Sequence, residues 1–330
     1  MILRLIILLI LALAAAGCTR YRAEEVVVRN GETALGGTLY IPAGKGPHPA
    51  IVLIHGSGRS TRENTRFFGE LFAHHGIAAL AYDKRDVGPI PSTELVSSDD
   101  LAGDALAGVE LLKARPDIDA RRVGLWGGSQ GAGVAARAAA RSKDVAFVVA
   151  VSGGGLNMAE HRSFQFGNRL RARGYNEAEV AEALRVVELL HEFVHSGGKG
   201  AEALQAELDR AHRHAWAEVV LPRRPPTARE RATWIQWREL GGDPMADWER
   251  LTVPVLLLWG GRDTVVNVPL SEERIRAALE RAGNRDVTVR VIPDADHNFM
   301  LPGAARTDFP SQEFLDTMVD WTRKRTGLSK

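Results

Sequence analysis

The chain has 330 residues, 45% of them hydrophobic and 25% charged, with a formal net charge of +1. That length buries a full core and has room for one large α/β domain with an insertion. Lys and Arg are scattered among acids rather than gathered in a basic stripe, which argues against a nucleic-acid partner.

The N-terminus stands apart. Arg4 precedes an apolar run, Leu5 to Ala16, followed by Gly17 and Cys18, the single cysteine of the chain. A basic start, an apolar run short of a membrane span and a small-residue junction describe an export signal over residues 1–18. One cysteine makes no internal disulfide. Ala15-Ala16-Gly17-Cys18 resembles a bacterial lipoprotein junction, which implies lipidation at Cys18 and a membrane-anchored protein facing the periplasm or cell exterior. A cleaved signal without lipid and an uncleaved anchor also fit the segment.

Beyond it, Glu25–Arg29 and Thr38–Ile41 read as two strands, joined through an Asn30-Gly31 turn and Gly36-Gly37. Wholly apolar runs follow at Ala50–Ile54, Ile77–Tyr82, Val123–Trp126, Phe147–Val151 and Val255–Trp259, as expected of strands buried on both faces. Helical stretches fall between them at Phe67–His75, Leu101–Ala114, Gly131–Arg141 and Ser271–Ala282, and Val287–Ile292 and Gln312–Lys324 close the series. This alternation predicts an α/β doubly wound sheet. From about residue 156 to 247 no strand-like run occurs. The pattern there is helical, with Glu177–Val194 and Ala201–Val219 as clear examples and Val180, Leu184, Val187, Leu190 and Val194 forming one apolar stripe. It reads as a helical insertion dividing a core of residues 19–155 and 248–330. Trp216, Trp234 and Trp237 are expected to pack this insertion onto the sheet, or else to line a pocket.

Gly127-Gly128-Ser129-Gln130-Gly131 directly follows the Val123–Trp126 run and opens the next helix. This is the G-x-S-x-G nucleophile motif in the strand–turn–helix setting it requires. Serine needs a base, and His297, just past the last strand, is the candidate. Asp263 in Gly260-Gly261-Arg262-Asp263, at the carboxyl end of the Val255–Trp259 strand, is the candidate acid that orients it. Asp294 and Asp296 are too near His297 in sequence to be preferred. The oxyanion donors expected are the backbone N–H groups of Gln130 and Ser57, the latter in His55-Gly56-Ser57-Gly58 after the first parallel strand. His55 is expected to brace that loop through its ring nitrogens.

With these pieces and Tyr82-Asp83-Lys84-Arg85 and Asp296-His297-Asn298-Phe299, nearly the whole chain after residue 18 resembles the α/β-hydrolase superfamily, in a bacterial esterase and dienelactone-hydrolase-like group. The resemblance implies an eight-stranded, mostly parallel sheet with helices on both faces and a helical cap. It also implies the order Ser, Asp, His, an acyl-enzyme mechanism and no cofactor or metal. Relatives usually follow Asp-Lys-Arg with glycine, where this chain has Asp86. Carboxylic esters with short acyl groups are the substrate expected, since the cap is charged and shows no broad apolar face. Peptidase, thioesterase and lactonase chemistry fit the same residues, and a non-catalytic binding protein fits the same fold.

His191-Glu192-Phe193-Val194-His195 matches the H-E-x-x-H zinc-binding pattern. It ends a helix within the insertion, where histidine is favourable on dipole grounds alone, and a zinc metallohydrolase is the minor alternative it offers. His212 and His214 read as surface residues.

Overall fold

The computed structural model describes residues 20–85, 96–233, 242–305 and 310–328. Cys18, Asp86, Trp234 and Trp237 lie outside the described residues. Eight strands form one sheet: β1 (Tyr21–Asn30), β2 (Thr33–Pro42), β3 (His48–Ile54), β4 (Ala78–Tyr82), β5 (Ile118–Gly128), β6 (Val148–Val151), β7 (Val255–Gly260) and β8 (Val287–Ile292). They lie in the order β1-β2-β4-β3-β5-β6-β7-β8. β1 and β2 pair antiparallel with each other, as do β2 and β4, and every later pairing is parallel.

The first two strands run longer than their apolar patterns. Asn30 pairs with Thr33 around the turn, and Gly36 and Gly37, expected near that turn, lie inside β2 opposite Val27 and Val26. A Cβ on Gly36 would sit 2.8 Å from the Asp83 carboxylate. What a side chain at Gly36 would crowd is a neighbour distant in sequence, not a local reversal.

β3 shows how the sheet is covered. Ala50, Val52 and Ile54 point into one apolar cluster, and Ile51 and Leu53 into another. That is the period-2 alternation of a strand whose two faces are both buried. The first cluster packs against α2 (Ser98–Lys113), α3 (Gln130–Arg141) and α10 (Val268–Arg281), the second against α1 (Arg66–His74) and α11 (Gln312–Arg325).

Between β6 and β7 the described residues form helices only: α4 (Met158–Arg171), α5 (Glu177–His195), α6 (Ala201–Ala211), α7 (Ala217–Val220), α8 (Ala228–Thr233) and α9 (Met245–Trp248). Asn157 and Asn176 start α4 and α5 with reciprocal capping boxes to Glu160 and Glu179. Helices α4 to α7 share a core of their own around Leu170, Val187, Leu190, Leu208 and Trp216. Met245 and Trp248 have already rejoined the main core. The stretch expected as one helix over Ala201–Val219 is two, broken after Ala211. There His212 turns inward, its side chain 7% exposed, and its Nε2 bonds the Pro222 carbonyl at 3.0 Å. His212 is therefore not a surface residue as its spacing suggested. His214 is exposed and stacks on Trp216.

Candidate active site

The chain leaves β5 through a turn that only small residues permit. Ser129 has φ 54° and ψ −118°, strained for a non-glycine residue. A Cβ on Gly127 would lie 2.1 Å from the Gly131 carbonyl oxygen, and one on Gly131 would lie 2.5 Å from that of Ile54. Both flanking glycines are thus obligatory, and Ser129 is held above the carboxyl edge of the sheet with Gln130 opening α3.

His297 lies on the loop after β8. Its Nε2 is 3.1 Å from Ser129 Oγ, and its Nδ1 is 2.7 Å from Asp263 Oδ2. The Asp263 carboxylate is fully buried on the loop after β7, and its Oδ1 accepts from the N–H groups of Val265 and Val266 at 2.7 and 2.8 Å. Those two bonds fix the carboxylate so that the other oxygen faces the imidazole. Asp296 turns away and accepts from the N–H groups of Asn298 and Met300, which folds the histidine loop. Asp294 is exposed. The structure therefore gathers Ser129, His297 and Asp263 from the carboxyl ends of three strands, where open α/β sheets place ligands.

The loop after β3 runs beside the serine, so that a Cβ on Gly56 would sit 3.6 Å from the Ser129 Cβ. His55 donates from Nε2 to the Tyr82 carbonyl and accepts at Nδ1 from Ser60 at 2.9 Å. Burial holds its pKa down to about 4, so the ring is neutral and both nitrogens are used in the loop.

A cavity of about 370 Å³ opens on Ser129 and His297. It has polar groups at Asn64, Thr65 and Ser152 and apolar walls at Phe68, Trp126, Met300 and Phe314. The Alpha/beta hydrolase family pattern matches residues 51–316, a span containing every residue of this site. This chain belongs to the Alpha/beta hydrolase family. Esterase EstD of Thermotoga maritima is 29% identical over 293 residues, which are 86% of this chain and 61% of that protein. The chain thus spans less than two thirds of that relative's length. Among solved structures, a Pyrococcus furiosus esterase superposes with a TM-score of 0.58 at 18% identity, covering 93% of this chain and 92% of the other. A Pyrococcus horikoshii acylaminoacyl peptidase gives 0.60 at 14% identity, over 97% and 44%. At such identities the two superpositions speak for the fold alone.

Two residues of this α/β-hydrolase escaped the sequence reading. Lys84, 5% exposed, donates from Nζ to the carbonyls of Gly56 at 2.7 Å and Gly58 at 3.1 Å, and to Gln130 Oε1 at 2.9 Å. One ammonium thereby ties the loop of Ser57 to the residue after the nucleophile. Ser152, buried and with φ 50°, donates from Oγ to the His297 carbonyl at 2.8 Å. The sequence signal for Lys84 was its place in Tyr82-Asp83-Lys84-Arg85. For Ser152 there was none.

The H-E-x-x-H histidines divide between interior and surface. His191 is 1% exposed inside the helical cluster, its ring without a hydrogen-bond partner among the described residues, while Glu192 and His195 are exposed. Burial holds the His191 pKa down to about 4. No group of three His, Cys, Asp or Glu side chains among the described residues is placed to hold a metal ion. Trp216 is buried in the same cluster and does not line the cavity at Ser129.

Proposed function

We propose that this chain is a serine hydrolase of carboxylic esters that works through an acyl-enzyme. The observation that carries the reading is the continuous hydrogen-bond line Asp263–His297–Ser129 at the mouth of the cavity. A carboxylate on Nδ1 fixes the tautomer that leaves Nε2 free to accept the serine proton. Ser129 Oγ attacks the ester carbonyl carbon as His297 takes that proton. The oxyanion is held by the N–H groups of Gln130 and Ser57. The C–O bond then breaks, and the alcohol leaves with the proton from His297. Water, deprotonated by the same histidine, attacks the acyl-enzyme and releases the acid. The likeness to esterase EstD supports an ester as substrate.

The helical segment between β6 and β7 acts as the cap. Arg274 of α10 holds Glu160 of α4 through two bonds of 2.7 and 2.9 Å, and Asn168 of α4 reaches the Thr264 carbonyl at 2.9 Å, next to Asp263. Export and lipid anchoring at Cys18 complete the proposal. No helix among the described residues is long and apolar enough to cross a membrane.

The test of activity is fluorophosphonate labelling beside hydrolysis of p-nitrophenyl acetate. Labelling and turnover that vanish together in Ser129→Ala support the reading, and turnover without labelling contradicts it. The test of anchoring is the mass of the N-terminal peptide in a native host: a lipid-modified Cys18 is expected, and an unmodified Cys18 contradicts it.

A further inference from the structure

Three non-glycine residues among those described hold left-handed backbone: Ser129, Ser152 and Phe299. All three line the cavity at the nucleophile. Such backbone costs most at a bulky side chain, and it gathers where a protein clamps a ligand. The strain at Phe299, with φ 61°, serves to set a ring. Phe299 stacks on Phe314 with centroids 3.8 Å apart and planes 14° apart. Phe68 stands edge-on to Phe314, at 6.3 Å and 85°, and tilts over Trp126 at 4.7 Å and 33°. The Trp126 indole N–H is taken by the Met318 sulfur at 3.1 Å, so that polar edge is turned into the core.

The four rings come from α1, β5, the loop after β8 and α11. Among the described residues, helices α4 to α9 contribute nothing to the lining. Among the described residues, the lining of this cavity is thus supplied by the core. Its volume of about 370 Å³ is at the small end of the roughly 300–1,000 Å³ of ligand pockets. Aromatic walls reward an entering ring with edge-to-face and offset-stacked contacts that an alkyl chain of equal carbon count does not make.

We propose that this four-ring box is the subsite for a compact aryl group attached near the scissile ester bond, so that the preferred substrates are small aryl-bearing esters. The proposal rests on the ester-hydrolase reading above. The ring can enter on the acyl or on the alcohol side, and the experiment separates the two.

The measurement is kcat/KM of the full chain in two arms, with methyl acetate as reference. One arm compares methyl phenylacetate with methyl hexanoate, the other benzyl acetate with hexyl acetate. The aryl ester should lead its alkyl partner by about tenfold or more in one arm, and that arm identifies the side the box receives. Phe68 is half-buried on α1, whereas Phe299 and Phe314 are fully buried, so it is the ring whose replacement disturbs the core least. Phe68→Leu removes one ring and should bring the aryl-to-alkyl ratio toward unity. Phe68→Trp fills the box and should lower kcat/KM for the aryl ester more than for methyl acetate. Equal turnover of aryl and alkyl esters in both arms, or a ratio that neither Phe68 variant moves, overturns the subsite while leaving ester hydrolysis standing. No turnover of any of these esters, methyl acetate included, overturns both readings.

Discussion

Lys84 Nζ lies 2.9 Å from Gln130 Oε1 while also holding the carbonyls of Gly56 and Gly58. An ammonium has three donors, and here three convergent acceptors meet it. The two segments it joins carry the two N–H groups assigned to the oxyanion, so its position sets the spacing between them.

Lys84→Met should lower kcat by about tenfold or more with a smaller change in KM, because misplaced oxyanion donors cost the transition state more than the ground state. Lys84→Arg should not restore it, since a planar fork does not match three acceptors converging on a point. Affinity for an alkylboronic acid, which mimics the tetrahedral adduct, should fall in step with kcat. A variant that is merely less stable would keep that affinity in its folded fraction, so the inhibition constant beside a thermal melt decides.

Asp263→Asn should reduce kcat by about ten-thousandfold, the loss that follows when the amide selects the wrong imidazole tautomer. Asp296→Asn should cost far less, since Asp296 braces the turn of Asn298 and Met300 and does not face the imidazole. Steady-state kinetics on the two purified variants separates them. A larger loss in Asp296→Asn would mean that the acid is misassigned.

Ser152→Ala removes the hydroxyl that anchors the His297 backbone and should reduce kcat several-fold by loosening the base. Ser152→Gly removes the same bond but suits φ 50° better, so it should melt higher than the alanine variant while being no more active. Melting temperatures and kcat on the pair provide the check.

Folding stability should fall as the pH drops below neutrality. His55 titrates near 4 in the fold against about 6.5 in an unfolded chain. Between these values the unfolded state binds the extra proton, so stability rises with pH across the window and is lost as pH falls through it. A shift of that size corresponds to a contribution on the order of 3 kcal/mol. His191, held near the same value by burial, acts in the same direction. Urea unfolding at pH 7 and pH 4 should show the loss, and His55→Asn should flatten it.

What the sequence displays depends on how local the demand is. Ala50–Ile54 and Val255–Trp259 read as buried strands because both faces of each are covered and nearly every residue must be apolar. The elbow is legible because its own backbone forbids a Cβ at Gly127 and Gly131. Lys84 is different: its three acceptors lie 26, 28 and 46 residues away, so its place in Tyr82-Asp83-Lys84-Arg85 marks the residue without showing what it holds. The same distance hides the box of Phe68, Trp126, Phe299 and Phe314, which only the closed fold assembles. It also explains the expectation that tryptophans of the insertion would pack onto the sheet or line the pocket, where Trp216 instead fills the helical cluster.

The most direct test of the central claim is intact-mass analysis after treatment with a fluorophosphonate, on the wild type and on Ser129→Ala. The wild type should gain one phosphonyl group, mapped to Ser129 by peptide sequencing, and Ser129→Ala should gain none while keeping its circular dichroism spectrum. An adduct on any other residue, or an unlabelled wild type that still hydrolyses p-nitrophenyl acetate, would contradict a nucleophile at Ser129.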